Sequence, residues 1–210
     1  MRSAWMHTLV LLLLATPAAA QSWYPRHNIT LGLGAGQPRA DLSQILNTSF
    51  GLGVAYGYRF HNYLQVDGGF DTLFHSAGVE AFVPIAGGYS VIRDYQHMLF
   101  GGLRGILPMA RGRLLFTGGA GGAWLWYAER LQQPADYVRY ACPYCETRHG
   151  AAGYGLLGIR FSPTVSRMFW LGASLKVYRG FTDGGSIGPI PGVRTKDNWA
   201  TLFGDLGFSF

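Results

Sequence analysis

Trp199-Ala200-Thr201-Leu202-Phe203-Gly204-Asp205-Leu206-Gly207-Phe208-Ser209-Phe210 closes the chain as two interleaved series. Ala200, Leu202, Gly204, Leu206, Phe208 and Phe210 form one series, and Trp199, Thr201, Phe203, Asp205, Gly207 and Ser209 the other. Successive side chains on a strand point to opposite faces, so the stretch reads as a ribbon with an apolar side and a mixed side. A water-exposed sheet gains little from Phe208 and Phe210 at a fraying end. The outer wall of a closed barrel in lipid does gain, because it is apolar and rimmed with aromatic residues.

Working back from this ribbon, the same alternation recurs. Its cleanest instance is Ser49 to Phe60, where Phe50, Leu52, Val54, Tyr56, Tyr58 and Phe60 alternate with Ser49, Gly51, Gly53, Ala55, Gly57 and Arg59. That period of two leaves no room for a helix. Further strands are expected at Asn28 to Gly36, Tyr63 to Phe74, Tyr95 to Leu107, Arg113 to Tyr127, Ala151 to Ser162 and Met168 to Tyr178, with Trp199 to Phe210 the eighth. Leu99, Leu103 and Leu107 are taken as outward in the least tidy of them, which puts Arg104 inside together with Met98, Phe100 and Ile106. Strands of this length suffice to cross a bilayer at a tilt.

The connections alternate. Gln37 to Thr48, His75 to Arg93, Ala128 to His149 and Arg179 to Lys196 read as long loops, the second with segments that could extend a hairpin above the membrane. His61-Asn62, Pro108 to Gly112 and Ser162 to Arg167 read as short turns. Short turns on one side and long loops on the other are the asymmetry of outer-membrane barrels.

Composition points the same way. Of 210 residues 13% are charged and 15% aromatic, and mean hydropathy is positive. Yet beyond Ala20 no charge-free run is long enough for a transmembrane helix. A closed barrel satisfies every backbone polar group in lipid without one. The 31 glycines suit crowded barrel walls and argue against helices. Residues 1–20 read as a secretory signal peptide: Arg2, an apolar run from Thr8 to Ala15, and Ala18-Ala19-Ala20 before a cut at Gln21. Residues 21–210 are then the barrel domain. Its 17 lysines and arginines less Arg2 leave 16 against 11 acids, a net +5. The cations are scattered one per segment, which suits internal ion pairs or a lipid-headgroup rim better than a nucleic-acid track.

With the leader, eight alternating strands, loop rhythm and terminal Leu206-x-Phe208-x-Phe210, the mature chain resembles small eight-stranded bacterial outer-membrane β-barrel proteins. The resemblance implies an all-β, antiparallel up-and-down transmembrane barrel with periplasmic termini, contacting outer-membrane lipids as a monomer. It also implies that the barrel-assembly machinery reads Phe210, with Phe208 and Leu206 in support.

Arg59, Arg104, Arg113, Arg160 and Lys176 are assigned to the interior with Asp67, Asp71 and Asp205. An eight-stranded barrel is just wide enough for its own side chains to fill. A paired internal plug is therefore expected rather than an open pore. On the lipid face an arginine would cost about 2–4 kcal/mol at mid-membrane. Cys142-Pro143-Tyr144-Cys145 has redox-motif spacing but no helix to stabilise a thiolate. In an exported chain it reads first as a local disulfide, with a redox pair or a metal or haem contact including His149 as alternatives. His75-Ser76 invites comparison with lipid-modifying barrel enzymes, although adjacent strand residues seldom face one another. Gly32-x-Gly34-x-Gly36 lacks the helix that a nucleotide fingerprint needs. No catalytic residue, cofactor or metal site is assigned. A structural or surface-interaction role is expected, with a narrow channel, a lipid-modifying enzyme and a soluble ligand-binding barrel as rivals.

Overall fold

Strand-forming alternation leaves each ribbon with free backbone edges, and lipid forbids such edges, so the sheet must close on itself. In the computed structural model it does. The structure describes residues 25–77, 82–135, 138–163, 167–186 and 191–210, so the expected signal peptide lies outside the described residues. The strands are β1 (His27–Ala40), β2 (Ser49–His61), β3 (Leu64–Phe74), β4 (Phe82–Ile85), β5 (Gly88–Met109), β6 (Leu114–Leu131), β7 (Thr147–Phe161), β8 (Phe169–Gly184) and β9 (Thr195–Ser209). Every pairing is antiparallel, in the order β3-β2-β1-β9-β8-β7-β6-β5, and β3 pairs β5 to shut the ring. Eight strands make the barrel, and β4 folds onto the outer part of β5 as a hairpin turning at Gly87, whose φ of 93° favours glycine.

The final ribbon lies between β1 and β8, with Leu206 opposite both Leu31 and Leu171. Leu202 is 61% exposed and Leu206 45%, whereas Phe203 between them is 1% exposed. Phe50, Leu52, Val54, Leu99, Leu103, Leu157 and Leu171 are likewise exposed on the outer wall. Phe203 fits inside because glycines floor its site. A Cβ on Gly34 would stand 2.6 Å from the ring, and one on Gly51 2.9 Å.

The strands outrun the expected bounds at the long-loop end. β1 runs through Pro38, where a loop was expected, because β2 stops at Ser49 opposite Gly36 and a proline fits a strand with one open edge. β5, β6, β7 and β8 likewise reach Gly88, Leu131, Thr147 and Gly184, shortening the expected loops. Above the apolar belt polar residues stand on both faces, as at Arg93 and Asp94 of β5 or Glu129 and Arg130 of β6, so the alternation that betrays a strand fades. After β1 the chain makes a short 3-10 turn, Asp41–Gln44, that puts Leu42 and Leu46 into one buried cluster with Leu73, Met98, Leu125, Tyr127 and Trp199.

Candidate functional site: the filled interior and its outer rim

Inward positions of the eight strands stack into layers. Nearest the termini, Ser209 donates to Asn28 (2.7 Å), Asn28 to Gln65 (3.1 Å) and Gln65 to Asp67. Asp67 pairs with Arg104 at 2.5 Å. Arg160 lies over the Trp170 ring at 4.1 Å. One layer farther, Lys176 Nζ donates to both Asp71 carboxylate oxygens (2.7 and 2.8 Å), and the Tyr178 hydroxyl donates to the same group (2.7 Å). Lys176 also sits over the Phe100 ring at 4.2 Å. Arg59, Asp67, Asp71, Arg104, Arg160 and Lys176 are all buried, and Asp205 lines the void beside Arg104, Ser174 and Lys176. That void measures about 10 Å³, on the order of one water probe.

Arg113 corrects the sequence reading. It is exposed and belongs to the turn before β6, its N–H donating to the Ala110 carbonyl. The strand begins one residue later, so this arginine lies beyond the barrel's end, where water solvates it, and no interior partner is needed.

A second cluster, at the loop end, escaped the sequence reading. Arg148 is fully buried and donates to the carbonyls of Thr182 (3.0 Å), Gly185 (2.8 Å), Pro191 (3.1 Å) and Val193 (2.8 Å) and to the Thr195 hydroxyl (2.6 Å). It thereby ties the chain leaving β8 to the chain entering β9. Asp197, equally buried, accepts from the Trp199 indole at 2.6 Å. Its outward neighbours Lys196 and Asn198 are polar, which places it beyond the apolar belt. Burial pushes its carboxyl up to about 7, against the pull of hydrogen bonds from Trp199 and Thr182 and the charge of Arg148. The period-two phase of β7, carried upward past Ala151, would have marked Arg148 as inward.

Ser76 is buried and donates to Asp94 (2.5 Å), which leaves no serine–histidine pair with His75. A disulfide joins Cys142 and Cys145. His149 stacks instead on Trp124, centroids 5.7 Å apart. Among the described residues no group of three or more His, Cys, Asp or Glu is placed to hold a metal.

No family model matches the sequence, and no curated protein matches it. Solved structures match through shape. Neisserial surface protein A superposes with a TM-score of 0.57 at 11% identity, over 88% of this chain and 97% of that one. The outer membrane protein OprG from Pseudomonas aeruginosa gives 0.53 at 13%, over 89% and 97%. Ail, the attachment invasion locus protein of Yersinia pestis, solved with the heparin analogue sucrose octasulfate, gives 0.50 at 14%, over 88% and 99%. The chain thus has the fold of small eight-stranded outer-membrane β-barrels.

Proposed function

We propose that this protein is a monomeric, integral outer-membrane barrel, its lumen sealed by its own side chains, with a structural or surface-interaction role carried by the loop end. One observation carries the sealed lumen: Asp67 with Arg104, Asp71 with Lys176 and Arg160 over Trp170 fill the interior around a void of about 10 Å³. Leu42 and Leu46 add an apolar stopper at the loop end. A hydrated path needs room between its polar walls, and this packing leaves none around Arg104, Lys176 and Asp205 beyond that void. The outward leucines and phenylalanines support residence in lipid, and the likeness to outer-membrane barrels supports which membrane. In this reading residues 1–20 direct export and are removed, and the assembly machinery engages Leu206, Phe208 and Phe210.

The narrow-channel reading is separated by planar-bilayer recording. The refolded protein is expected to give no discrete conductance steps. Steps abolished by enlarging Gly34 or Gly51 would establish a pore through the same interior.

A further inference from the structure

The outward face of the β5–β6 pair carries a charge arrangement that the sealed lumen does not explain. Arg93 and Arg130 lie directly opposite each other in the register, both on the outer wall. Directly opposed residues of antiparallel strands have Cα atoms about 4.5–5.5 Å apart, and like charges so placed destabilise the pair. The inward residues of the adjacent rung are Asp94 and Glu129, so the nearest carboxylates are turned into the barrel. Both are engaged there: Asp94 accepts from Ser76 and Ala77, and Glu129 from Tyr127 and the Glu146 N–H. Among the described residues neither arginine forms an ion pair, and Arg93 donates to the Gln132 side chain at 3.0 Å.

The pair borders an outward cleft of about 290 Å³, shared with His75, Tyr95 and Gln132. Toward the membrane the same face turns aromatic. Tyr95 stacks on His97 (6.1 Å), His97 meets Trp126 (4.7 Å), and Trp124 lies one outward position farther. Tryptophan and tyrosine mark the membrane–water interface, so the two guanidinium groups stand at headgroup depth, just beyond that girdle. Paired guanidinium forks at such a spot match the planar, multidentate hydrogen bonding that phosphate accepts.

We infer that Arg93 and Arg130 form a clamp for a phosphate group of an outer-leaflet lipid, seated in the cleft beside His75 with the lipid's apolar part against the Tyr95–Trp126 wall. The inference rests on the outer-membrane reading above. The lipid supplies the negative charge that the wall withholds, and the clamp fixes the β4–β5 hairpin relative to the membrane surface.

The test uses the full mature chain refolded in detergent, with diphosphoryl lipid A as the probe and retention followed by native mass spectrometry. The wild type is expected to retain the lipid and R93Q/R130Q to bind it about tenfold or more weakly, as expected for lost charge-assisted bonds. Dephosphorylated lipid A is expected to bind the wild type as weakly as the variant binds the intact lipid. R39Q/R179Q removes two outward arginines that flank Asn198 at wider spacing, and should weaken binding far less. Equal weakening by both variants would mean diffuse charge attraction and overturn the clamp. So would equal retention of phosphorylated and dephosphorylated lipid, or displacement of the lipid by equimolar inorganic phosphate or sucrose octasulfate. Failure of the outer-membrane reading shows elsewhere, as absence from the outer-membrane fraction of expressing cells, whereas loss of the clamp leaves insertion and heat-modifiable gel migration intact.

Discussion

The membrane-level half of the barrel and its loop end are built from the same strands but held by different physics. In the lower half lipid dictates the outside, and the inside is filled by short-range pairs such as Asp71–Lys176 and Asp67–Arg104. At the loop end no lipid imposes an outward face. Order there comes from single residues that gather several backbone groups, Arg148 above all, and from a tucked turn carrying Leu42. The lower half should therefore fail all at once, and the loop end piece by piece.

The largest expected effect is in the lower half. A Cβ on Gly207 would fall 1.9 Å from the Trp170 ring, and that ring is enclosed by the wall and Arg160. Gly207→Val should abolish refolding into vesicles, read as loss of heat-modifiable migration on gels. Next is the central ion pair. Asp71→Asn leaves the Lys176 ammonium buried without its counter-charge and should cost about 3–5 kcal/mol in urea unfolding from lipid vesicles. Asp71→Asn combined with Lys176→Met should recover much of that loss, because a buried pair replaced on both sides removes the uncompensated charge.

At the loop end the effects should be local. Arg148→Met frees four carbonyls and two hydroxyls at once, so limited proteolysis should cut between β8 and β9 while the barrel remains heat-modifiable. A pH effect is expected at Asp197. Its folded pKa of about 7 exceeds the ordinary 3.8, so the fold favours the protonated acid. The contribution is complete below about pH 4 and is lost as pH rises through 7, at most about 4 kcal/mol. Hydrogen exchange at the β8–β9 end should accelerate between pH 5 and pH 8 in the wild type and stay flat in Asp197→Asn, after correction for intrinsic rates. The smallest effect belongs to Cys142→Ser with Cys145→Ser. A bridge spanning so few residues constrains little beyond its own tip, so unfolding of the barrel should not move.

The contrast also explains what could be read in advance. Eight strands, the inward phase of Arg104, Arg160 and Lys176 and the outward phase of Leu202 and Leu206 were legible, because lipid on one side and a narrow lumen on the other force a period of two. Arg113 was misplaced because a strand's first residue is set by its turn, here Ala110–Gly112, rather than by alternation. Arg148 and Asp197 continue the inward phase of their strands, but they lie above the apolar belt, beyond the expected strand ends, and their partners, backbone carbonyls and an indole, leave no trace of their own. The inward Leu42 was invisible because its partners lie far along the chain. The opposed Arg93 and Arg130 needed the register of β5 against β6, which no single strand contains.

The central claim is that the apolar face of each strand meets lipid and the mixed face meets the lumen. Spin labels placed singly from Leu202 to Phe208 in the protein reconstituted in vesicles test it directly. Collision with dissolved oxygen should rise at 202, 204, 206 and 208 and fall at 203, 205 and 207, with little access for a water-soluble nickel reagent at either set. A reversed phase, or strong nickel access along the even series, would contradict the account.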